Sequence, residues 1–187
     1  MGERDEPCVL GDALEEGPAS GGVGDPCVPE DEYQRYFSSY EVTEVNFETR
    51  SFQCETRVCL VNHFQGRASC PYGQALENGA APRCHIPGTS VTTGAIEVDV
   101  RPQLTNRRAA DAVYCSCRCG GADTAARYCR CPSGFVCTEL MTDIGVGSAE
   151  LAGSYCVKAG TVYDWRTFTP GLSCDAAKHD CGDDDGG

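Results

Sequence analysis

The sequence lacks any C-x-x-C pair, because no two of its fifteen cysteines stand three positions apart. Zinc ribbons, thioredoxin-like sites and most iron–sulfur ligand sets use that spacing, since one tight turn then directs two sulfurs to one point. C-type haem attachment needs the same pair followed by histidine. The spacing therefore argues against these metal, redox and haem classes.

Catalytic motifs are also missing: G-x-S-x-G, the P-loop and H-E-x-x-H do not occur. Only three histidines are present, His63, His85 and His179. Adjacent residues on a strand face opposite ways, so Cys84-His85 makes no catalytic dyad. His63 follows an apolar strand, where we expect a packed or rim histidine. We predict a non-enzymatic protein with no catalytic residue, no metal site and no cofactor.

No apolar run approaches the roughly 18 residues that a membrane span needs. Residues 1–6 carry neither the basic nor the apolar segment of a signal peptide. We expect a mature exported protein, extracellular, periplasmic or on the outer surface, and a lipid anchor upstream of residue 1 is compatible with this. The alternative is a cytosolic protein with reduced thiols.

Lysine is scarce, since thirteen of the fifteen basic residues are arginine. This bias is typical of a high-GC bacterial genome. The net charge is −13, and residues 1–50 hold 13 acidic side chains against three basic ones. Such acidity disfavours nucleic acid and anionic membranes. We therefore expect a protein or cell-surface partner and no nucleic acid; the oligomeric state is left open.

What the chain has in abundance is cysteine, at about 8% of its residues, which reaches the range of disulfide scaffolds. Disulfides persist in oxidising compartments, and each one contributes roughly 2–4 kcal/mol to stability. The three C-x-C pairs also allow a metal-thiolate cluster. Tyr114, Tyr128 and Phe135 interleave with the cysteines, which is unusual in such clusters, so we favour disulfides.

Charge and composition divide the chain into a flexible acidic leader (1–26), a disulfide-stabilised β-rich domain (27–170) and an acidic tail (171–187). The Gly- and Ser-rich leader cannot bury enough surface to order itself. The tail ends in consecutive aspartates, which favour a solvated segment over a calcium loop.

One helix is predicted from Pro29 to about Ser39, with acidic residues after the proline. Its aromatic residues lie at i, i+3, i+4 and i+7 and form either a core-facing stripe or a ligand-stacking platform. We favour the core-facing stripe. The residues are Tyr33, Tyr36, Phe37 and Tyr40.

Short segments rich in β-branched or aromatic residues, bounded by Gly, Pro or Asn, predict strands. The predicted fold class is therefore mostly β: a small, disulfide-rich, loop-rich domain with one or two short helices and disordered acidic termini. A helical turn is expected at Ser148–Gly153, and a long loop at Pro71–Pro82 between Cys70 and Cys84. The predicted strands are Glu41–Phe47, Val58–Phe64, Ile96–Val100, Ala112–Cys119, Arg127–Cys131, Phe135–Leu140 and Tyr155–Lys158.

Five cysteines crowd into one seventeen-residue stretch: Cys115, Cys117, Cys119, Cys129 and Cys131. Residues i and i+2 of a strand share a face, so a hairpin with the loop Gly120–Ala125 would place all five sulfurs on one side. Same-strand neighbours have parallel Cβ vectors and cannot easily bond to each other. Each sulfur should therefore reach a partner elsewhere, which makes the hairpin a stability hub.

The segment Cys-Arg-Cys-Pro-Ser-Gly-Phe-Val-Cys (129–137) is similar to the last segment of an EGF-like module. That resemblance implies a disulfide between Cys131 and Cys137. The segment Gly-Asp-Pro-Cys-Val-Pro (24–29), with the short block from Cys54 to Cys59, resembles exported cysteine-rich lipoproteins of high-GC soil bacteria. That resemblance implies an exported location and no particular activity.

Two functions from different classes remain. The first is a non-enzymatic binding or structural module, and the alternative is a secreted inhibitor or toxin-like effector that presents a disulfide-rigidified loop. Loops are the usual place for binding, and Arg107 and Arg108 in the loop 101–108 are the candidate binding residues. We expect seven disulfides with Cys8 left over. The disulfide candidates are Cys131, Cys137, Cys174, Cys181, Cys54, Cys59, Cys115, Cys117, Cys119 and Cys129.

Overall fold

The computed structural model describes residues 21–76, 84–90, 93–142, 151–162 and 173–174. These residues form two three-stranded antiparallel sheets, of strand order β1-β2-β3 and β4-β6-β5, with little helix. The predicted class, a small, mostly β, disulfide-rich domain, is confirmed. The elements are a 3-10 helix (Glu30–Tyr33), β1 (Val45–Glu48), β2 (Val58–Asn62), α1 (Ala109–Ala112), β3 (Val113–Ser116), β4 (Arg118–Gly120), β5 (Phe135–Met141) and β6 (Gly153–Lys158).

The first sheet is organised around β2, four of whose five residues are buried. Its apolar side chains meet Tyr40, Phe64 and Val113 in one core cluster. Cys59 stands opposite Cys115 in the register of β2 and β3, and each is tied by a disulfide to a flanking segment. Burial of apolar side chains and covalent cross-links therefore stabilise the same place.

The two sheets meet where β3 ends and β4 begins. The backbone amide of Cys156 in β6 donates to the carbonyl of Cys117, and Ser116 Oγ donates to the carbonyl of Cys156. Two ring pairs complete this contact, Phe47 with Tyr155 at 4.2 Å and Tyr114 with Phe135 at 5.6 Å between centroids.

The hairpin predicted across the cysteine-rich stretch is wrong. Its first strand breaks at Cys117, so β3 joins one sheet and β4 the other. Residues 127–131 form no strand, because β4 pairs with β6 instead. The Cys129 amide donates a backbone hydrogen bond to the carbonyl of Arg118 in β4. The segment 127–131 is held by disulfides rather than by a backbone ladder.

The helix predicted from Pro29 shrinks to the four-residue 3-10 helix. Arg67, fully buried, donates to the backbone carbonyls of Glu32, Gln34 and Phe37, which a longer helix would use for its own ladder. Of the predicted stripe, Tyr40 is buried, Phe37 packs on the core, and Tyr33 and Tyr36 are exposed. A distant arginine thus overrides the local periodicity.

The segment Ile96–Val100 is not a regular strand: isolated bridges lie at Val100 and at Ala95, just before the segment. Gln74 replaces a partner strand: its Nε2 donates to the carbonyls of Ile96 and Val98, and its Oε1 accepts from the amide of Cys84. A small second core of Cys84, Ile96 and Val100 packs here. The Cys70–Cys84 disulfide joins the two ends of the segment between these cysteines.

Residues 21–26 are part of the fold, so the predicted leader boundary at residue 26 is too late. Gly24 and Asp25 exchange backbone hydrogen bonds with Cys115, both of 2.8 Å, and Pro26 bridges to Tyr114. This segment covers the edge of β3 that β2 leaves open. The rest of the leader, residues 148–150 of the predicted helical turn, and the tail beyond Cys174 lie outside the described residues.

The twelve cysteines from residue 27 to 156 pair among themselves. The pairing of Cys131 with Cys137 is wrong, because Cys131 bonds to Cys156 and Cys137 to Cys119. Cys174 is also disulfide-bonded, while Cys8 and Cys181 lie outside the described residues. The six pairs are Cys27–Cys59, Cys54–Cys115, Cys70–Cys84, Cys117–Cys129, Cys119–Cys137 and Cys131–Cys156.

Such a disulfide content is typical of proteins from oxidising, extracellular-type compartments. Within the described ranges, no helix has the length and apolar character that crossing a bilayer requires.

Candidate functional site at the tip of the β1–β2 loop

The loop of residues 49–57 joins β1 to β2 and has the sequence Thr-Arg-Ser-Phe-Gln-Cys-Glu-Thr-Arg. Phe52 at its tip is 89% exposed, the most exposed large hydrophobic side chain in the described part of the chain. It stands between the fully buried Ser51 and the exposed Gln53, which the buried Cys54 follows. The loop thus turns one aromatic ring outward between two buried anchors.

The base of the loop is fixed by backbone hydrogen bonds and a disulfide. The amide of Ser51 donates to the carbonyl of Arg57 at 3.0 Å, and the amide of Arg57 donates to the carbonyl of Cys54 at 2.9 Å. The Cys54–Cys115 disulfide ties the loop to β3. Thr56 Oγ1 donates to the carbonyl of Ser116, which adds a second link to the same strand.

Gln53 clamps the tip from the other side. Its Nε2 donates to the carbonyl of Val28 at 2.6 Å, and its Oε1 accepts from the amide of Val28 at 3.0 Å. Two hydrogen bonds to one residue fix the amide plane as well as its position. Gly21 also bridges to Cys54, and an added Cβ at Gly21 would collide with the carbonyl oxygen of Gln53. The loop is therefore held both at its base and at its tip.

Arg57 places a cation against the exposed ring. Its guanidinium carbon lies 4.6 Å from the centroid of Phe52, within the range of a cation–π contact. The backbone of Arg57 has φ +66°, a left-handed conformation that few non-glycine residues adopt. Residues held in such conformations cluster at binding and switch regions.

The loop is locally basic in an acidic chain. Arg50 and Arg57 outnumber the single acid Glu55 within residues 49–57, whereas the whole chain carries −13. All three of these charged side chains are exposed. The tip therefore combines an exposed apolar ring with a net positive charge.

The predicted binding residue Arg107 supports the fold. Its guanidinium donates to the carbonyls of Asn62, His63 and Thr161, so it joins the end of β2 to the segment after β6. Arg108 is exposed at the N-terminal boundary of α1. The binding role of these two arginines stays a prediction, and the structure gives the first of them a structural task.

The described histidines do not form a nucleophilic site. His63 Nδ1 lies 2.9 Å from the carbonyl oxygen of Val42, and burial, aided by the charge of Arg107, lowers the pKa of this imidazole. Cys84 is disulfide-bonded, so the sulfur beside His85 carries no free thiol. His179 lies outside the described residues.

A small cavity of about 200 Å³ lies beside the 3-10 helix, between Asp31, Tyr40 and Glu48. The Tyr40 hydroxyl donates to Asp31 at 3.3 Å. Burial, and then the carboxylates of Asp31 and Glu32, raise the pKa of Tyr40. Burial also raises the pKa of Glu48, and the carboxylates of Glu30 and Asp31 add to this effect. Tyr40 is bonded to Asp31, and the Glu48 carboxylate accepts from the backbone amide of Glu30, so both carboxylates are engaged within the fold.

A wider cleft of about 700 Å³ lies beside β4, β5 and β6, with Arg118, Asp123 and Glu139 among its lining residues. Its cation is engaged within the fold: Arg118 donates to the carbonyl of Ala152 and stacks 5.5 Å from the Tyr128 ring. Two more lining residues are bonded to each other, since Thr142 Oγ1 donates to Glu139 Oε1 at 3.3 Å, and both of these side chains are exposed.

Among the described residues, the cysteines form three groups of three, and within each group the sulfurs lie within 4.8 Å of one another. Every sulfur in them belongs to a disulfide. Metal ions bind thiolates, so these groups are not ligand sets in the oxidised state described here.

No protein-family model, curated protein or solved structure matches this chain. The loop tip was not among the residues singled out from the sequence. The available signal was Phe52 itself, an aromatic residue inside the polar interval between the predicted strands Glu41–Phe47 and Val58–Phe64. A turn offers an aromatic ring little to pack against, which predicts exposure.

Proposed function

We propose that this protein is a non-enzymatic exported binding module that docks onto a protein partner through Phe52. The observation that carries this function is the 89% exposure of the ring on a loop held by a disulfide and the Gln53 clamp. A rigid loop loses little conformational entropy on binding, so more of the contact energy remains as affinity.

The residue types support the same function. Aromatic and arginine side chains are enriched among the few residues that dominate binding energy at protein interfaces. Arg57 stacks on Phe52 and would enter the interface with it. The partner surface should therefore present an apolar pocket with acidic residues at its rim.

The test compares three immobilised proteins: wild type, Phe52→Ala, and Tyr36→Ala as a control that removes an exposed aromatic ring outside the loop. Each is incubated with cell-envelope and culture-medium proteins of the source organism, and dissociation constants are then measured with the purified partner. We expect Phe52→Ala to weaken binding by about 30-fold, the loss for a 2 kcal/mol hot spot. Equal binding by all three proteins would remove the loop from the interface.

A second candidate function is inhibition of a peptidase. The observation that favours it is the pair of exposed residues, Phe52 and Gln53, flanked by the buried Ser51 and Cys54. A hydrophobic specificity pocket accepts an aromatic side chain and an acidic one accepts arginine. We expect wild type to inhibit a serine peptidase with a hydrophobic specificity pocket, and Phe52→Arg to inhibit one with an acidic specificity pocket. If neither wild type nor Phe52→Arg inhibits its peptidase, inhibition is ruled out as the function and docking onto a partner remains.

A further inference from the structure

Three of the disulfides lie side by side at the second sheet. Cys156 Sγ of the Cys131–Cys156 disulfide is 3.6 Å from Cys117 Sγ and 3.7 Å from Cys129 Sγ, which bond to each other. Its other sulfur, that of Cys131, lies within 4.8 Å of both sulfurs of the third disulfide, Cys119–Cys137. The Cys131–Cys156 disulfide therefore stands between the other two.

The six cysteines of this row of disulfides differ in exposure. Cys137 is exposed, and Cys119 and Cys131 are partly buried. Cys156 is fully buried, Cys117 is 6% exposed at the junction of the two sheets, and Cys129 is partly buried. Cys137 is the one exposed cysteine of these six, so a thiol from solvent reaches the Cys119–Cys137 disulfide first.

We propose that these six cysteines form a thiol–disulfide exchange relay whose entry site is the Cys119–Cys137 disulfide. Its substrate class is an external dithiol, either a small molecule or a dithiol oxidoreductase of the oxidising compartment. Exchange proceeds by attack of a thiolate on a disulfide sulfur, so neighbouring disulfides at contact distance can pass the thiolate inward.

The steps balance in bonds and electrons. One thiolate of the dithiol attacks Cys137, a mixed disulfide forms, the Cys119–Cys137 bond breaks, and its electron pair leaves on Cys119. The Cys119 thiolate then attacks Cys131 and releases Cys156 as a thiolate. Cys156 in turn attacks Cys117 or Cys129 and releases the other.

The second thiol of the dithiol attacks the mixed disulfide and releases Cys137, so the dithiol leaves as a disulfide. One protein disulfide is reduced by two electrons, and the two resulting thiolates take protons from water. The relay therefore carries a reducing equivalent from the surface to the junction beside Cys117. It is separate from the β1–β2 loop and does not depend on partner binding there.

The first test uses Cys137→Ala, which leaves Cys119 without its partner, and Cys84→Ala as the matched control. Cys70–Cys84 belongs to none of the three-sulfur groups found among the described residues. The folded proteins are held at mildly alkaline pH, alkylated without reduction, and mapped by mass spectrometry. Without exchange, Cys119 would carry all of the label that the freed thiol takes up. We expect its share to be at least about twofold lower, because exchange between neighbouring disulfides moves the thiol, and with it the label, to Cys156, Cys117 or Cys129. In the control, the label should stay at Cys70.

Label confined to Cys119 in folded Cys137→Ala would overturn the relay. A second measurement applies even if that variant fails to fold. Wild-type protein is treated with less than one equivalent of dithiothreitol and quenched with alkylating agent at increasing times. Label should appear first at Cys119 and Cys137 and then at the inner cysteines, ahead of the buried Cys54–Cys115 disulfide. If Cys119 and Cys137 are labelled at the same time as the inner cysteines, the relay is contradicted.

Discussion

Arg107 and Arg57 show that the same residue type can hold a fold together or face a partner. Arg107 is partly buried and uses its guanidinium for three backbone carbonyls. Arg57 is exposed and stacks on a ring that is itself in solvent. Sequence position alone does not distinguish the two, because each lies in a polar, loop-like segment. The partners that folding supplies decide the role.

At the residue scale we therefore expect Arg107→Ala to lower the free energy of unfolding by about 2 kcal/mol, since carbonyls at the end of β2 lose a charged donor. The thermal midpoint should fall by about 4–8 °C for a chain of this size. The control is Arg130→Ala, which removes an exposed arginine from the 127–131 segment. Thermal unfolding followed by circular dichroism checks both, and equal midpoints would contradict the structural role of Arg107.

At the element scale, the segment 21–26 behaves as an added edge of the first sheet. Three backbone hydrogen bonds join it to Cys115 and Glu55. Gly24, at φ +104°, lies against Phe135, whose ring an added Cβ would approach to 2.8 Å. Glycine is needed here because a side chain would be strained and would collide.

Chains that begin at residue 21 and at residue 27 test this edge directly, because they differ only in these six residues. We expect the shorter chain to lose about 3 kcal/mol of unfolding free energy, roughly 1 kcal/mol for each backbone bond removed. Urea denaturation of the two proteins measures the difference. Coincident curves would mean that the segment contributes nothing to the sheet.

At the scale of the whole molecule, the described disulfides fall into two sets. Three lie within residues 27–115 and three within residues 117–156, and among the described residues none joins one set to the other. Within the described residues, the two sheets are therefore linked by the chain at Ser116 and by non-covalent contacts, including the hydrogen bond from the amide of Lys158 to the Tyr114 hydroxyl.

Peptide mapping without reduction checks this division. After digestion under acidic conditions, which suppress exchange because thiols stay protonated, every linked peptide that contains cysteines from residues 27–156 should join members of the same set. Disulfides within residues 117–156 should appear as one interlinked group. A peptide that links the two sets would contradict the pairing, and intact-mass comparison before and after reduction gives the number of bridges independently.

The amino-acid sequence by itself determined the class of protein: mostly β, rich in cysteine and short of helix. It also located β2, β5 and β6 closely, because β-branched and aromatic residues between turn formers carry their own strand signal. The exposed ring of Phe52 could have been inferred from its polar neighbours. These features depend on composition and local pattern, which a linear sequence contains.

Only the tertiary structure decided the disulfide partners, the break at Cys117 and the short 3-10 helix in place of a longer one. Cysteines close in sequence are chemically alike, so their pairing depends on which sulfurs the completed sheets bring within reach. The predicted long helix does not form because Arg67, more than thirty positions from Glu32, donates hydrogen bonds to the backbone carbonyls that this helix would use. Such contacts connect residues far apart in the chain, and no local pattern contains them.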